Sequence, residues 1–332
     1  MSTFHQKKVL VLGGGAAGQR AAVDLLNAGC EVILAEQEDS LGGTMARLGT
    51  MFPEHNCLLC RGDEKHGKGC TRPAISSDLL DFTRPESLDL RTRSRLVGLE
   101  GSGEGYSVTL RTEPRYVDTE KCILCGRCSE ICPQSLSDPF QSGLSKRKAV
   151  YLPSERSVPE SYALEKGIYC DDCGECEGIC PTEAIDLNQE AVTETAYVDA
   201  VVVATGMKLY DPYLSGEYGY GRYPNVVTGL EMERMLSPAG PSEGNPGRPS
   251  DGEVPKRIAW LQCIGSRDET HDYCSSFCCG YATKQAVLAR KVLPSAEARI
   301  FMMDDRVFGR NFSRTYDPLR EQYGIGLEHC RI

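Results

Sequence analysis

The chain has 332 residues, with 40% hydrophobic and 25% charged side chains and a formal net charge of −10. That is room for two domains or three small ones, and it excludes a mainly disordered chain. The acidic balance argues against nucleic acid as the ligand, and no apolar run reaches the roughly 18 residues that a bilayer span needs. The outlying number is 17 cysteines. The apolar stretch near the N-terminus runs into glycines instead of a cleavage site, so the expectation is a soluble cytoplasmic chain. There, thiols at this density point to metal ligands rather than disulfides.

In chain order, KVLVL reads as a short strand and is followed at once by Gly13, Gly15 and Gly18 in GGGAAG, a helical run, and a second strand EVILAE ending in Glu36. Strand, glycine turn, helix, strand and acid in that order form the dinucleotide fingerprint. Gly13 makes the turn, Gly15 lets backbone approach a pyrophosphate at the helix N-terminus, and Gly18 allows close packing on the strand. Glu36 is expected to hold a ribose by its hydroxyls. Leu41-Gly42-Gly43-Thr44 comes next, then Cys57 and Cys60 with His55 and Cys70 nearby. Three uses stay open for these thiols: ligands, across the fold, to the same third cluster as the later cysteine group at Cys263 to Cys279, lining of a flavin pocket, or plain loop residues. LDLRTRSRLVGLE and YSVTLRT, joined by GSGEG, read as an accessory hairpin.

Cys122, Cys125, Cys128 and Cys132 read C-x2-C-x2-C-x3-C-P, and Cys170, Cys173, Cys176 and Cys180 repeat the spacing. This is the signature of bacterial two-cluster ferredoxins. Three thiolates on a tight loop face one cubane while the fourth, on the following turn, points to the other, so the sets cross. One [4Fe-4S] cluster is expected on Cys122, Cys125, Cys128 and Cys180, the other on Cys170, Cys173, Cys176 and Cys132. Two zinc sites would want ligands in pairs and leave the third cysteine and both prolines, Pro133 and Pro181, unexplained.

DAVVVATG reads as a strand ending at Ala204-Thr205-Gly206, and a Pro/Gly/Ser-rich linker lies beyond it. A new αβ unit follows as strand RIAWLQC, helix ATKQAVLARKVL, strand ARIFMMD and helix DPLREQYG. Where a nicotinamide-binding half carries glycines, this one has Cys263-Ile264-Gly265-Ser266-Arg267-Asp268, so NAD(P) is not expected here. Cys263, Cys274, Cys278 and Cys279 fall within 17 residues. A third [4Fe-4S] cluster is the reading of that group, with buried small hydrophobes and redox-active thiols as alternatives. Cys30, between helix and strand, reads as core, and Cys330 has no partner. The five histidines are scattered, and no side chain announces acid–base or nucleophilic catalysis. Lys284 and Arg267 are candidates to balance flavin or cluster charge.

The glycine fingerprint, the LGGT turn and the ATG strand together resemble two-dinucleotide-domain flavoproteins of the thioredoxin reductase type, which implies FAD. The expected fold class is α/β: a Rossmann-like FAD domain of that type, an inserted α+β two-cluster ferredoxin domain, and a partial second Rossmann-like domain. The boundaries read 1–112 and 191–236 for the FAD domain, 113–190 for the insert, 237–255 for the linker and 256–332 for the second domain. By number, the FAD contacts fall on Gly13, Gly14, Gly15, Ala17, Gly18, Glu36, Gly42, Gly43, Thr44, Ala204, Thr205 and Gly206.

The combination of GGGAAG with GGTMARL, FPEHNCLLC, PRYVDTEKCILCGRC, KRKAVYLPSERSVPESYALEK, EYGYGRYPNVVT, and QCIGSRD with YCSSFCCGYA resembles the A subunit of heterodisulfide reductase and its relatives. The resemblance implies an FAD that accepts an electron pair and, in bifurcating members, sends one electron downhill and one uphill to ferredoxin. It implies partners too: other iron-sulfur subunits, ferredoxin, and a hydrogenase, formate dehydrogenase or acyl-CoA reductase, with terminal substrate chemistry on a partner. Full-length members carry a further N-terminal domain and further C-terminal ferredoxin cysteines, and this chain is expected to be a shorter form; RGDEKHGKGC diverges. The chain also ends inside the second half, so another polypeptide is expected to complete or cover the site. Two other readings stand beside the bifurcating one: a non-bifurcating relay subunit, and an NAD(P)H:ferredoxin-type reductase subunit.

Overall fold

Alternation in the first two strands decides the architecture of the N-terminal part. In the computed structural model, which describes residues 6–50, 86–154, 157–167, 170–307 and 312–331, β1 (Lys8–Leu12) pairs in parallel with β2 (Glu31–Ala35) across helix α1 (Ala16–Asn27). Val11, Val32 and Leu34 point to the α1 face, where Ala22 and Leu41 close the cluster. Leu10, Ile33 and Ala35 point to the opposite face. Burial on both faces is what a parallel sheet requires.

Strand β3 (Leu88–Arg91) extends this sheet beside β2. The run that reads as one long strand, LDLRTRSRLVGLE, is therefore two. Arg93, with φ of +54°, breaks it, and β4 (Ser94–Ser102) leaves the sheet to form an antiparallel hairpin with β5 (Gly105–Thr112). The segment after β5 holds α2 (Arg127–Ile131), the ribbons β6 (Ser135–Ser137) with β7 (Lys146–Lys148) and β8 (Val150–Tyr151) with β9 (Ala163–Leu164), and α3 (Glu175–Gly178). The chain then returns as β10 (Val192–Val198), antiparallel to β5, and β11 (Ala200–Val203), parallel to β1. The parallel sheet has the order β11-β1-β2-β3. The antiparallel sheet covers its second face through Val108, Leu110 and Val198.

The chain divides into two units, Met1–Ala46 with Thr71–Met207 and Arg47–Cys70 with Lys208–Ile332. The second begins well before the expected boundary at 256. Helix α4 (Gly229–Leu236), which the sequence reading passed over, starts on a capping box of Thr228 and Glu231. The expected linker is a series of hydrogen-bonded turns against α4: Ser242 Oγ donates to the Met235 carbonyl at 2.7 Å and Arg234 Nη2 to that of Ala239 at 2.8 Å. Strands β12 (Arg257–Leu261), β13 (Glu297–Met302) and β14 (Ile325–His329) form a parallel sheet, with α5 (Cys278–Val292) and α6 (Phe312–Gln322) between them. Strand β14 was not read from sequence, because glycines at 324 and 326 mask its alternation. Among the described residues no helix is long and apolar enough to cross a membrane.

Candidate cofactor and cluster sites

The glycine turn between β1 and α1 is built by exclusion. A Cβ on Gly13 would strike the Ala204 carbonyl oxygen and one on Gly18 the Gly13 carbonyl oxygen, whereas one on Gly15 would meet nothing within 4 Å. Gly15 caps α1 without a side-chain hydrogen bond, and the first turn holds no acidic residue, so the amides of Ala16, Ala17 and Gly18 offer an anion the positive end of the helix. Ala204 closes the floor, its amide donating to the Leu12 carbonyl at 2.8 Å, ahead of Thr205 and Gly206. The second loop leans on the first: the Gly42 amide donates to the Gly14 carbonyl at 2.9 Å, and a Cβ on Gly43 would stand 3.2 Å from the Gly15 Cα. Thr44 lies in the short 3-10 helix Gly43–Arg47.

Glu36 is 5% exposed. Its carboxylate accepts the Gly14 amide at 2.7 Å and the Glu38 amide at 2.9 Å. A carboxylate has about four lone-pair sites, so two remain for hydroxyls. The open cradle at Gly15, the acid beside it and the helix N-terminus together fit a dinucleotide such as FAD.

In the segment between β5 and β10 the two cysteine motifs repeat at the level of the backbone. Leu124 and Asp172 have φ of +58° and +54°, and Gly126 and Gly174, at +79° and +76°, start α2 and α3. Val117 and Ile185 make an antiparallel bridge that ties the two ends of the segment together. Cys122, Cys125, Cys128 and Cys180 line one recess, with Tyr162 and Ile185. Cys132, Cys170, Cys173 and Cys176 line the other, with Val150 and Leu164. Each recess is partly open to solvent. Among the described residues no three His, Cys, Asp or Glu side chains converge closely enough to hold a single metal ion. Each recess is lined by four thiols, the ligand number that a [4Fe-4S] cluster takes.

Burial pushes the Cys128 thiol up to about 12 and the Cys176 thiol up to about 11. Cys180 goes the other way: burial opposes ionisation, but hydrogen bonds from the Ala184 and Thr182 amides outweigh it, the Ala184 amide lying 3.2 Å from the sulfur. Thiols this buried in an apolar core are stable only as thiols or as metal thiolates.

In the second unit the loop after β12 turns through positive φ at Cys263, Gly265 and Arg267. Cys278 is held well below the usual thiol range, first by its hydrogen bond with the Cys279 thiol and further by the Ser275 hydroxyl and the Cys279 and Cys263 amides. Cys279, the donor of that pair and also buried, is raised. Cys274 is held separately, its sulfur accepting the Ser276 amide at 3.3 Å. Cys263, Cys278 and Cys279 are thus gathered at the start of α5, with Cys274 on the adjoining loop. Arg267 pairs with Asp304 and touches Cys263. Lys284 is 2% exposed and pairs with Glu233 at 2.8 Å, while Gln285 donates to the same carboxylate at 3.1 Å. Cys30 is half-buried rather than core, and Cys330 is exposed. His55, Cys57, Cys60 and Cys70 lie outside the described residues.

Two groups have little signal in the sequence. Glu233 sits on α4, whose only sequence mark is its capping box. The hydrogen-bonded cluster of Asp39, Arg93, Arg115 and Tyr151, buried at Arg115 and Tyr151 and half-buried at the other two, is assembled from positions 22 to 112 residues apart, with no shared spacing that could have announced it.

A family described as "FAD dependent oxidoreductase" matches residues 8–66, and one described as "4Fe-4S binding domain" matches residues 115–135, which takes in the first cysteine motif. The chain therefore carries an FAD-oxidoreductase-type and a ferredoxin-type segment. It is 38% identical over 320 residues to the A subunit of the "H(2):CoB-CoM heterodisulfide,ferredoxin reductase" of Methanothermobacter marburgensis, covering 96% of this chain and 46% of that one. It is 37% identical over 321 residues to the A subunit of the "H(2)/formate:CoB-CoM heterodisulfide,ferredoxin reductase" of Methanococcus maripaludis, with 96% and 47% covered. To the A subunit of the "Ferredoxin/F(420)H(2)-dependent CoB-CoM heterodisulfide reductase" of Methanosarcina acetivorans it is 34% identical over 328 residues, with 98% and 39% covered. The chain spans about half the length of the curated relatives it matches, or less. Among solved structures, a thioredoxin reductase from Lactococcus lactis aligns at a TM-score of 0.40 and 10% identity, covering 97% of this chain and 64% of that one.

Proposed function

Because the chain is related along nearly its whole length to the A subunit of heterodisulfide reductase, we propose that it is an FAD- and iron-sulfur-containing electron-transfer subunit of a cytoplasmic oxidoreductase complex. Its flavin is the point where an electron pair is split or joined. FAD sits on Gly13, Gly14, Gly15, Ala17, Gly18, Glu36, Gly42, Gly43, Thr44 and the Ala204-Thr205-Gly206 turn. Two [4Fe-4S] clusters take the crossed sets, Cys122, Cys125, Cys128 and Cys180 for one, Cys132, Cys170, Cys173 and Cys176 for the other. A third takes Cys263, Cys274, Cys278 and Cys279. The observation that carries the reading is that eight cysteines fall into two crossed sets of four around separate recesses, in the same unit as an open glycine cradle.

When bound, the flavin supplies the exchange between two-electron and one-electron chemistry. The chain's own residues orient it and hold the clusters that carry single electrons onward. The names of two relatives pair the heterodisulfide with ferredoxin as acceptors, which supports splitting over simple relay. The partners are then other iron-sulfur subunits and ferredoxin, with a hydrogenase or formate dehydrogenase as donor, and terminal chemistry lies on a partner. The test is anaerobic purification followed by metal, sulfide and flavin analysis. One FAD with about eight iron and eight sulfide per chain is expected from two cubanes, and about twelve of each with the third. Zinc in place of iron, or no flavin, would overturn the reading. In equilibrium reduction of the loaded chain the flavin should pass from oxidised to fully reduced with little one-electron form. A long-lived, well-populated one-electron form would favour the relay.

A further inference from the structure

We infer that Arg115 is a positioning residue through which the segment between β5 and β10 holds the cofactor loop 39–43, so that cluster loading of that segment and FAD affinity are coupled. This deepens the proposed function and rests on its assignment of FAD to the glycine turn and of clusters to the two recesses.

Arg115 is 8% exposed. Its guanidinium donates from Nε to Ser161 Oγ at 3.0 Å and the Tyr162 carbonyl at 3.1 Å, from Nη2 to the Ser161 carbonyl at 3.1 Å, and from Nη1 to the Asp39 carbonyl at 2.6 Å. One planar cation therefore spans the insert and the loop that leaves β2. The same loop is caught at three further points. The Asp39 carboxylate accepts Tyr151 Oη and, at 2.5 Å, Arg93 Nη1. The Val158 amide donates to Ser40 Oγ at 2.8 Å and the Leu41 amide to the Val158 carbonyl at 3.0 Å. The Val158 side chain lies with Leu41, Val11 and Leu34 in the core of the first sheet. From there the Gly42 amide reaches the Gly14 carbonyl of the fingerprint.

On their other side the same short segments are the walls of the recesses. Tyr162 lines the recess of Cys122, Cys125, Cys128 and Cys180. Val150, next to Tyr151, and Leu164, whose amide donates to the Arg115 carbonyl at 3.2 Å, line the other. A cluster seated in either recess fixes a wall, and the fixed wall fixes Arg115, Tyr151 and Val158 against loop 39–43. FAD then meets a loop already ordered, and preorganisation of that kind is what tightens binding without a new contact. Lysine at 115 keeps the charge but loses the planar fork that reaches acceptors on Asp39, Thr92, Ser161 and Tyr162.

The experiment uses the full chain under anaerobic conditions, with FAD titrated by its fluorescence into cluster-loaded and cluster-free protein. Loading should lower the Kd for FAD roughly tenfold, within the usual range of coupling between sites. It should also slow hydrogen exchange at the Leu41 and Gly42 amides. In loaded Arg115→Lys the Kd should rise toward the cluster-free value and the exchange difference should vanish. Loaded Tyr151→Phe, which deletes one hydrogen bond to Asp39, should weaken FAD by about 2- to 10-fold. Equal Kd values with and without clusters overturn the coupling. If the cluster-free chain does not fold, an unchanged Kd in both loaded variants overturns it equally. FAD that binds with the same Kd in every state sinks the coupling alone, whereas FAD that binds in none sinks the flavin assignment and the coupling with it.

Discussion

Gly15 and Gly18 stand three residues apart in one turn and should fail in different ways. A Cβ at Gly18 collides with the Gly13 carbonyl, so Gly18→Ala should cost about 2 kcal/mol or more of stability in chemical denaturation, as overpacking does. A Cβ at Gly15 meets open space, and its φ of −75° suits any residue. Gly15→Val should therefore hold stability within about 1 kcal/mol, the scale of an N-cap change. It should still weaken FAD at least about tenfold, or 1.4 kcal/mol. A Gly15→Val protein that binds FAD normally would move the cofactor away from this turn. These glycines were legible in the sequence because their roles are local: each is defined by neighbours within one turn. Arg115 was not legible, since its acceptors at Asp39, Ser161 and Tyr162 come close only in the fold.

At the scale of elements, the two cysteine loops each send their fourth thiol to the other loop's recess. Cys132→Ser should accordingly perturb the electron paramagnetic resonance signal of the cluster on Cys170, Cys173 and Cys176 and leave the other intact, and Cys180→Ser should do the reverse. A change confined to each residue's own loop would refute the crossing. The same loops set a pH dependence in the cluster-free chain. Cys128 and Cys176 are raised by burial from the ordinary thiol value of 9.0 to about 12 and about 11. A raised group favours the folded state below its unfolded pKa and loses that contribution as pH climbs toward its folded one. Thermal denaturation of the cluster-free protein should therefore show stability declining from about pH 9 upward, and the loaded protein, with its thiolates bonded to iron, should not show that decline. Helices α4 and α5 carry another test. Lys284 and Glu233 are both 2% exposed and paired, and leaving one buried charge unmatched costs about 3–5 kcal/mol. Lys284→Met should fall by that amount, read from denaturant midpoints. A loss below about 1 kcal/mol would mean that water reaches the carboxylate. Helix α4 escaped the sequence reading because its eight residues show the capping box but too few turns for a period.

Across the whole molecule the charge is unevenly spread. The stretch 113–190 holds 15 acidic and 8 basic residues, a net −7 of the chain's −10. A redox partner that meets this stretch should present a basic surface, and its association should weaken steeply as ionic strength rises through the physiological range, where the Debye length is about 8 Å. Association that is indifferent to salt would place the contact elsewhere. The order of parts was readable at this scale because motifs and strands are contiguous in sequence, whereas the seam between the two units was not: the sequence marks a proline-rich stretch at 237–255, but the units part at Met207. Val158 shows what that order hides. It comes from the middle of the stretch between β5 and β10, yet its side chain fills a place in the core of the first sheet beside Leu41. Excising 113–190 and rejoining the ends would therefore open a hole in the remaining domain. Removal of that stretch therefore has to be matched by a larger side chain elsewhere in the first sheet's core if the core is to stay filled.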